Sequence, residues 1–272
     1  MNSIALSLIA FAIIFGGTLL GMFLRTVLSD HHLSADSRDV MKLVTNMIAM
    51  MAAVLLVGAH AARAEDRVVI ADFSSAVVAG GVPAGWELSE KSGKADLAVV
   101  KDEGVSAVRF RSAATSFSLQ KKVKVALKEF PMLTWEWKVT ALPVGGDFRK
   151  SETDDQAAQL FIAFSKTKAI VYVWSSTVQK GQMASTSPAP FMNVKVVVVQ
   201  SGPEKLGKWV SERRNVYQDY KKLFGSKPPA TSGIRLQINS QHTKTKAESY
   251  FANVAFEAGA RQGAKVQATK PK

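Results

Sequence analysis

The chain has 272 residues, no cysteine, and 35 Lys and Arg against 22 Asp and Glu, a formal charge of +13. Without cysteine there is no disulfide framework, no thiol nucleophile and no Cys-ligated zinc or iron–sulfur centre. An apolar fraction of 47% with 21% charged residues excludes a disordered chain, and the length suffices for one large domain or two small ones.

The first element in chain order is the uncharged run from Ile4 to Leu24, IALSLIAFAIIFGGTLLGMFL. Read as a helix it is about 31 Å long, the thickness of a bilayer's hydrocarbon core. A polar stretch with Arg25, His31, His32 and Arg38 leads to a second apolar run, Leu43 to Gly58, ending at Ala62-Arg63-Ala64. Lys42, MIAMMAAVLLVG and the A-x-A triplet match the basic, apolar and cleavage regions of a secretory signal peptide ahead of Glu65. Two readings stand: a cleaved signal, for which Met41 is a candidate start, or a second membrane helix. In both, the Lys and Arg of the intervening loop keep it cytoplasmic and everything after Ala64 is exported. The expected organisation is a membrane helix and cytoplasmic loop (1–40), signal or membrane helix (41–64), β-sandwich (65–258) and disordered basic tail (259–272). The expected location is the bacterial cell envelope, with the C-terminal domain periplasmic or extracytoplasmic and anchored if residues 1–64 are retained.

Residues 1–40 resemble the start of a bestrophin-like family of bacterial membrane proteins, domain of unknown function 4239. The rest of that family's membrane domain is missing, so the resemblance implies no pore. A fusion, or an upstream start that captures a neighbouring frame, accounts for it.

Beyond Glu65 the chain alternates apolar and polar residues in short segments. In LTWEWKV, Leu133, Trp135, Trp137 and Val139 share one face, which reads as the inter-sheet core. RVVIADF (67–73), SAVRFRS (106–112), SFSLQKKVKV (116–125), AQLFIAF (158–164), AIVYVWS (169–175), VKVVVVQ (194–200), GIRLQIN (233–239) and YFANVAFE (250–257) read as further strands. Pro- and Gly-bearing turns separate them. One helix is expected over Leu206–Phe224, stopped by Gly225 and kept from resuming by Pro228-Pro229. The pattern predicts an all-β, two-sheet, jelly-roll-like sandwich with one inserted helix, its first and last strands side by side.

Candidate chemistry is sparse. His242 is the single histidine after Glu65, in a polar stretch that reads as a surface turn, and neither G-x-S-x-G nor H-E-x-x-H occurs. The acidic group Asp147, Glu152, Asp154, Asp155 reads either as a cation or carboxylate-pair site or as a solvated loop with ion pairs to Arg149 and Lys150. It lacks the calcium-loop spacing, and no metal and no cofactor are expected. Trp174, before Ser175-Ser176 at a strand end, is the tryptophan expected to be exposed and able to stack on a sugar. Without residues 1–64 the charges are 31 Lys and Arg against 19 Asp and Glu. They are scattered, without a nucleic-acid motif, and suit anionic envelope polymers or lipid headgroups better than nucleic acid.

Three blocks resemble a bacterial family catalogued as domain of unknown function 3047, over about 68–257. They are LTWEWKVTALPVGGDFRKSETDDQAAQLFIAF (133–164), the IVYVWSS and VVVVQSG segments within 170–202, and WVSERRNVYQDYKKLFGSKPPATSGIRLQIN (209–239). The resemblance implies export behind a signal peptide and a β-sandwich, and carries no activity. Motif matching points to Asp154, Asp155, Trp174, Ser201, Glu212, Arg214, Asn215, Asp219 and Tyr220. Where relatives carry an Asp-rich run after GIRLQIN, this chain has Asn239-Ser240-Gln241-His242-Thr243. The binding candidates are therefore Asp154, Asp155, Trp174, Arg214, Asn215 and Tyr220. They belong either to a ligand cleft beside the helix or to a brace holding the helix on the sheet edge. Three functions follow: a non-catalytic exported sandwich binding a glycan or envelope component, a lyase or hydrolase of an acidic polysaccharide using Tyr220, Arg214 and Asp154/Asp155, or an anchored structural protein.

Overall fold

Period-two alternation after Glu65 builds two stacked sheets. The structure, a computed structural model, describes residues 66–74, 81–186 and 191–259. The chain divides into units Met1–Glu65 and Asp66–Lys272, and the described residues all lie in the second. The apolar runs at 4–24 and 43–58, and the tail past residue 259, fall outside the described residues. Among the described residues no helix is long and apolar enough to cross a membrane.

One sheet contains β1 (Arg67–Ala71), β3 (Asp96–Asp102), β4 (Val105–Ala113), β6 (Met132–Ala141), β11 (Val210–Asn215) and β13 (Lys246–Glu257), ordered β11-β6-β13-β4-β3. The long β13 carries β4 along its first half and β1 along its last residues, so the first and last strands do pair, Arg67 opposite Glu257. The other sheet contains β2 (Glu87–Ser92), β5 (Ser116–Lys121), β7 (Ala158–Ala163), β8 (Lys168–Ser175), β9 (Met183–Thr186), β10 (Asn193–Ser201) and β12 (Gly233–Asn239). Its order is β2-β5-β12-β7-β8-β10-β9, antiparallel except for the parallel pair β8–β10. The fold is the expected all-β, two-sheet, jelly-roll-like sandwich with one helix among the described residues.

The core is aromatic and bridges both sheets. From β6, Trp135 stacks on Tyr172 of β8 (centroids 5.4 Å, 27° between planes), and Trp137 meets Trp174 of β8 at 5.9 Å and Phe251 of β13 at 6.3 Å. All five rings are buried, so the LTWEWKV stripe is the inter-sheet core. Each such pair adds about 1 kcal/mol beyond area burial, which fixes the two sheets in register.

The helix, α1, spans Val216–Phe224 and not the expected 206–224: residues 206–209 lie in a connecting turn and Val210–Asn215 form the edge strand β11, paired to β6. Asn215 sets the boundary: its side-chain oxygen accepts the Gln218 N–H (3.0 Å), an N-cap that forces the extended-to-helical change. Gly225 ends the helix in the left-handed conformation (φ 69°), its N–H donating to the Lys221 carbonyl.

Candidate functional site

In the seven-stranded sheet, one set of alternates (Leu119, Leu160, Ile162, Tyr172, Val197, Leu236 and their neighbours) enters the inter-sheet core. The other set faces away from it and lines a groove of about 670 Å³ running across β2, β5, β12, β7, β8 and β10. Its floor has two halves. On β5, β12 and β7 the outward side chains are planar and polar: Gln120, Arg235, Gln237, Asn239 and Gln159. On β7, β8 and β10 they are apolar: Phe161, Val171, Val173, Val194 and Val196. These valines form a second apolar cluster, separate from the main core, with Phe148 from the β6–β7 loop and Val178 from the β8–β9 connection packed on it. Cross-strand register aligns Gln120, Arg235, Phe161, Val171 and Val196 in one row. The Arg235 guanidinium carbon lies 5.0 Å from the Phe161 ring centroid, over its face.

A hydrogen-bonded hub closes one end of the groove. The Asn239 side-chain oxygen accepts from Gln159 Nε2 (2.6 Å) and from the Gln156 N–H (3.0 Å), and its amide donates to the Asp154 carbonyl. Gln156 Nε2 in turn donates to Asp154 Oδ1 (3.1 Å). Burial raises the Asp154 carboxyl above its usual range; the Gln156 hydrogen bond and the nearby His242 and Lys91 oppose this, and the neighbouring Asp155 charge adds to it. His242 lies at the same end, Nδ1 3.0 Å from the Asp154 carbonyl oxygen and 3.5 Å from Asp155 Oδ1. Asp155 is fully buried behind them and accepts both the Thr243 N–H (2.6 Å) and its hydroxyl (2.8 Å) through Oδ2. Gly146 makes this corner possible, since a Cβ there would stand 2.4 Å from the Asp155 carbonyl oxygen.

The acidic group diverges. Asp147 is tied to Arg149 through both carboxylate oxygens, a pairing that lowers its pKa; Glu152 is exposed, Asp154 faces the groove and Asp155 points inward. The remaining candidates are elsewhere. Trp174, expected at an exposed rim, is fully buried in the aromatic core, its indole N–H donating to the Gly202 carbonyl (3.2 Å). Apolar residues on both sides of β8 explain this: a strand covered on both faces leaves no exposed end for the indole. Arg214 forms a forked pair with Asp219 (Nε 3.0 Å, Nη2 2.7 Å), and Asp219 also accepts the Tyr172 hydroxyl (2.8 Å). Tyr220 is buried against Phe164 and Phe224, and Asn215 is the helix cap. Phe164 directly follows β7, whereas Asp154 and Asp155 precede it. Tyr172, which bonds Asp219, and Tyr220 both belong to the inter-sheet core, whereas Asp154 lines the groove on the outer face of the same sheet. The structure therefore does not bring Tyr220 and Arg214 into one site with Asp154.

The groove floor was missed in the sequence reading. Its signal lay in the non-core alternates of GIRLQIN and AQLFIAF: Arg235, Gln237, Asn239, Gln159 and Phe161, rather than the Lys, Glu and Thr of a solvated face.

No curated protein matches the chain. Among solved structures it is similar to the family 11 carbohydrate-binding module of the cellulosomal cellulase Lic26A-Cel5E of Clostridium thermocellum. That likeness has 7% identity and a TM-score of 0.40, over 73% of this chain and 98% of that one. It is also similar to the xyloglucanase domain of NopAA, a type three effector from Sinorhizobium fredii, in complex with cellobiose. There the identity is 10% and the TM-score 0.43, over 65% of this chain and 95% of that one. The sequence profile described as protein of unknown function (DUF3047) matches residues 84–255, and the chain belongs to that family.

Proposed function

We propose that this protein is an exported β-sandwich that binds a glycan, without turning it over, in the groove on the outer face of the seven-stranded sheet. One observation carries the reading: the two-sided floor of the groove. A sugar ring has apolar C–H faces and a rim of hydroxyls. Phe161 with the valines of β8 and β10 offers an apolar platform, and the amides of Gln120, Gln237 and Gln159 beside it offer donors and acceptors. Because most of these groups sit on paired strands, the floor is preorganised and little entropy is lost on binding.

A second reading, a hydrolase or lyase working in the same groove, is favoured by Asp154, a groove carboxyl with a raised pKa beside His242. A glycan array probed with the full-length chain, followed by a search for shortened or unsaturated products among the glycans bound, tests both. Retained binding without products supports the module, products support the enzyme, and failure to bind any glycan overturns both.

Export rests on the segment 41–64 read as a signal peptide. Intact mass of the protein from its native host is expected to place the N-terminus at Glu65. A mature chain that still begins at Met1 or Met41 contradicts cleavage and leaves the domain anchored to the membrane.

A further inference from the structure

The groove's floor holds a charge that no carboxylate among the described residues neutralises. Arg235 stands in the middle of β12, flanked across the strands by Gln120 and Phe161, and is half-buried. Arg111, Arg149, Arg213 and Arg214 each hold a carboxylate: Glu248, Asp147, Glu257 and Asp219. Arg235 makes no hydrogen bond and no ion pair among the described residues; its one contact of this kind is with the Phe161 ring. The groove's own carboxylates do not pair with Arg235, and the Glu87 carboxylate is turned to Gln120 Nε2 (3.5 Å). Glu87 pairs with Gln120, which pairs with Arg235, so it stands two strands away, about 10 Å at ordinary strand spacing. Asp154 lies at the far end, beyond Asn239.

The walls repeat the sign. Lys91, Lys122 and Lys166 also line the groove, whereas Lys121 is turned aside to the Ile70 carbonyl (3.0 Å) and Lys168 carries its ammonium over the Phe224 ring (5.7 Å). Burying a guanidinium without an anion is costly, and desolvation pulls its pKa below the ordinary arginine value. A site that keeps such a group in an open groove recovers that cost when an anion arrives. The planar fork matches a planar carboxylate bidentately, and ring contact beneath it restricts its orientation.

We propose that the groove is selective for glycans bearing carboxylates, of the uronic-acid class, with the sugar carboxylate seated on Arg235 between Gln120 and Phe161. The inference rests on the glycan reading above and narrows it. Gln237 and Gln159 then take the neighbouring hydroxyls, the valine platform takes the next ring's apolar face, and the lysine walls hold further carboxylates along the chain.

The test is calorimetric titration of the full-length chain with oligomers of galacturonate, of mannuronate and guluronate, and of glucuronate-containing repeats. Each is set against the same oligomer with its carboxyls reduced to alcohols. At least one acidic oligomer is expected to bind tenfold or more tightly than its reduced form, roughly the 1.4 kcal/mol of one charge-assisted contact. Arg235→Gln is expected to remove most of that preference, leaving the part that the lysine walls supply, without weakening the reduced oligomer, and Arg235→Lys to lose less of it. Because Arg235 holds no carboxylate among the described residues, Arg235→Gln is also expected to unfold at the wild-type temperature or above it. Equal binding of acidic and reduced oligomers, a stronger preference for sulfated glycans, or unchanged discrimination in Arg235→Gln overturns this inference and leaves the glycan reading standing. A marked fall in the unfolding temperature of Arg235→Gln overturns it as well, since the residue would then be structural. Absence of binding to any glycan, acidic or neutral, overturns both.

Discussion

Asp219 is the sharpest place to ask whether the helix end of the domain binds anything. Its carboxylate is nearly buried (8% exposed) and accepts two hydrogen bonds from Arg214 and one from the Tyr172 hydroxyl. Asp219→Ala leaves the Tyr172 hydroxyl fully buried without that acceptor and leaves the Arg214 side chain, 31% exposed, without its anion. A stranded buried hydroxyl costs about 1–3 kcal/mol, and breaking a wholly buried ion pair about 3–5. Partial solvation of Arg214 brings the sum down to roughly 3 kcal/mol. For a domain of this size that corresponds to a fall of about 9 °C in Tm. Tyr172→Phe removes one donor while Asp219 keeps Arg214, and is expected to cost only about 1 kcal/mol. Thermal unfolding followed by circular dichroism reads both, and glycan binding below the transition is expected to match wild type, because this brace joins the inner face of the seven-stranded sheet and the groove lies on its outer face. An Asp219→Ala protein that unfolds at the wild-type temperature yet loses glycan binding would refute the brace and make Arg214, Asn215 and Tyr220 a ligand site.

Three other outcomes follow from the groove. Phe161→Ala removes the platform under Arg235 and is expected to weaken glycan binding about tenfold, near the top of what one aromatic contact contributes, with a small change in Tm; unchanged affinity would remove Phe161 from the site. Asp154→Asn is expected to stabilise the domain at pH 7 and to do so less at pH 3. A raised folded-state pKa makes ionisation costlier in the native protein, so the penalty is present at neutral pH and disappears as the carboxyl protonates in both states. An equal Tm offset at both pH values would contradict that. Gly146→Ala forces a methyl against the Asp155 carbonyl and is expected to cost roughly 2 kcal/mol, or about 6 °C; a wild-type Tm would mean the β6–β7 loop moves without penalty.

The fold was legible because alternation in LTWEWKV, AQLFIAF and GIRLQIN decides which side chains face the other sheet, and two stacked sheets are the simplest way to bury those faces. The helix was half legible. Val216, Tyr220 and Phe224 gave its period and Gly225 its end, but Val210–Asn215 is polar enough to pass for a helix face. Only its ladder with β6, a long-range contact, makes it a strand. The site was hardly legible. Trp174 is a candidate as an aromatic beside Ser175-Ser176 and Tyr220 through the family motif, yet rings of that size are also the first recruited to a core. Arg235 and Gln237 are unusual alternates for a solvated face, but a sequence does not show that five further strands extend that face into a groove. The unbroken apolar runs VYV and VVVV were the overlooked sign, since a strand apolar on both faces must be covered on both.

The central claim is that the outer face of the seven-stranded sheet is where a glycan sits. Amide hydrogen exchange of the full-length chain, with and without the tightest glycan from the array, tests it most directly. Protection is expected in the loops bounding the groove, around Phe148–Gln156 and Gln241–Thr243, with no change in β11 and α1. Protection confined to β11 and α1, or to the outer face of the six-stranded sheet, would contradict the account.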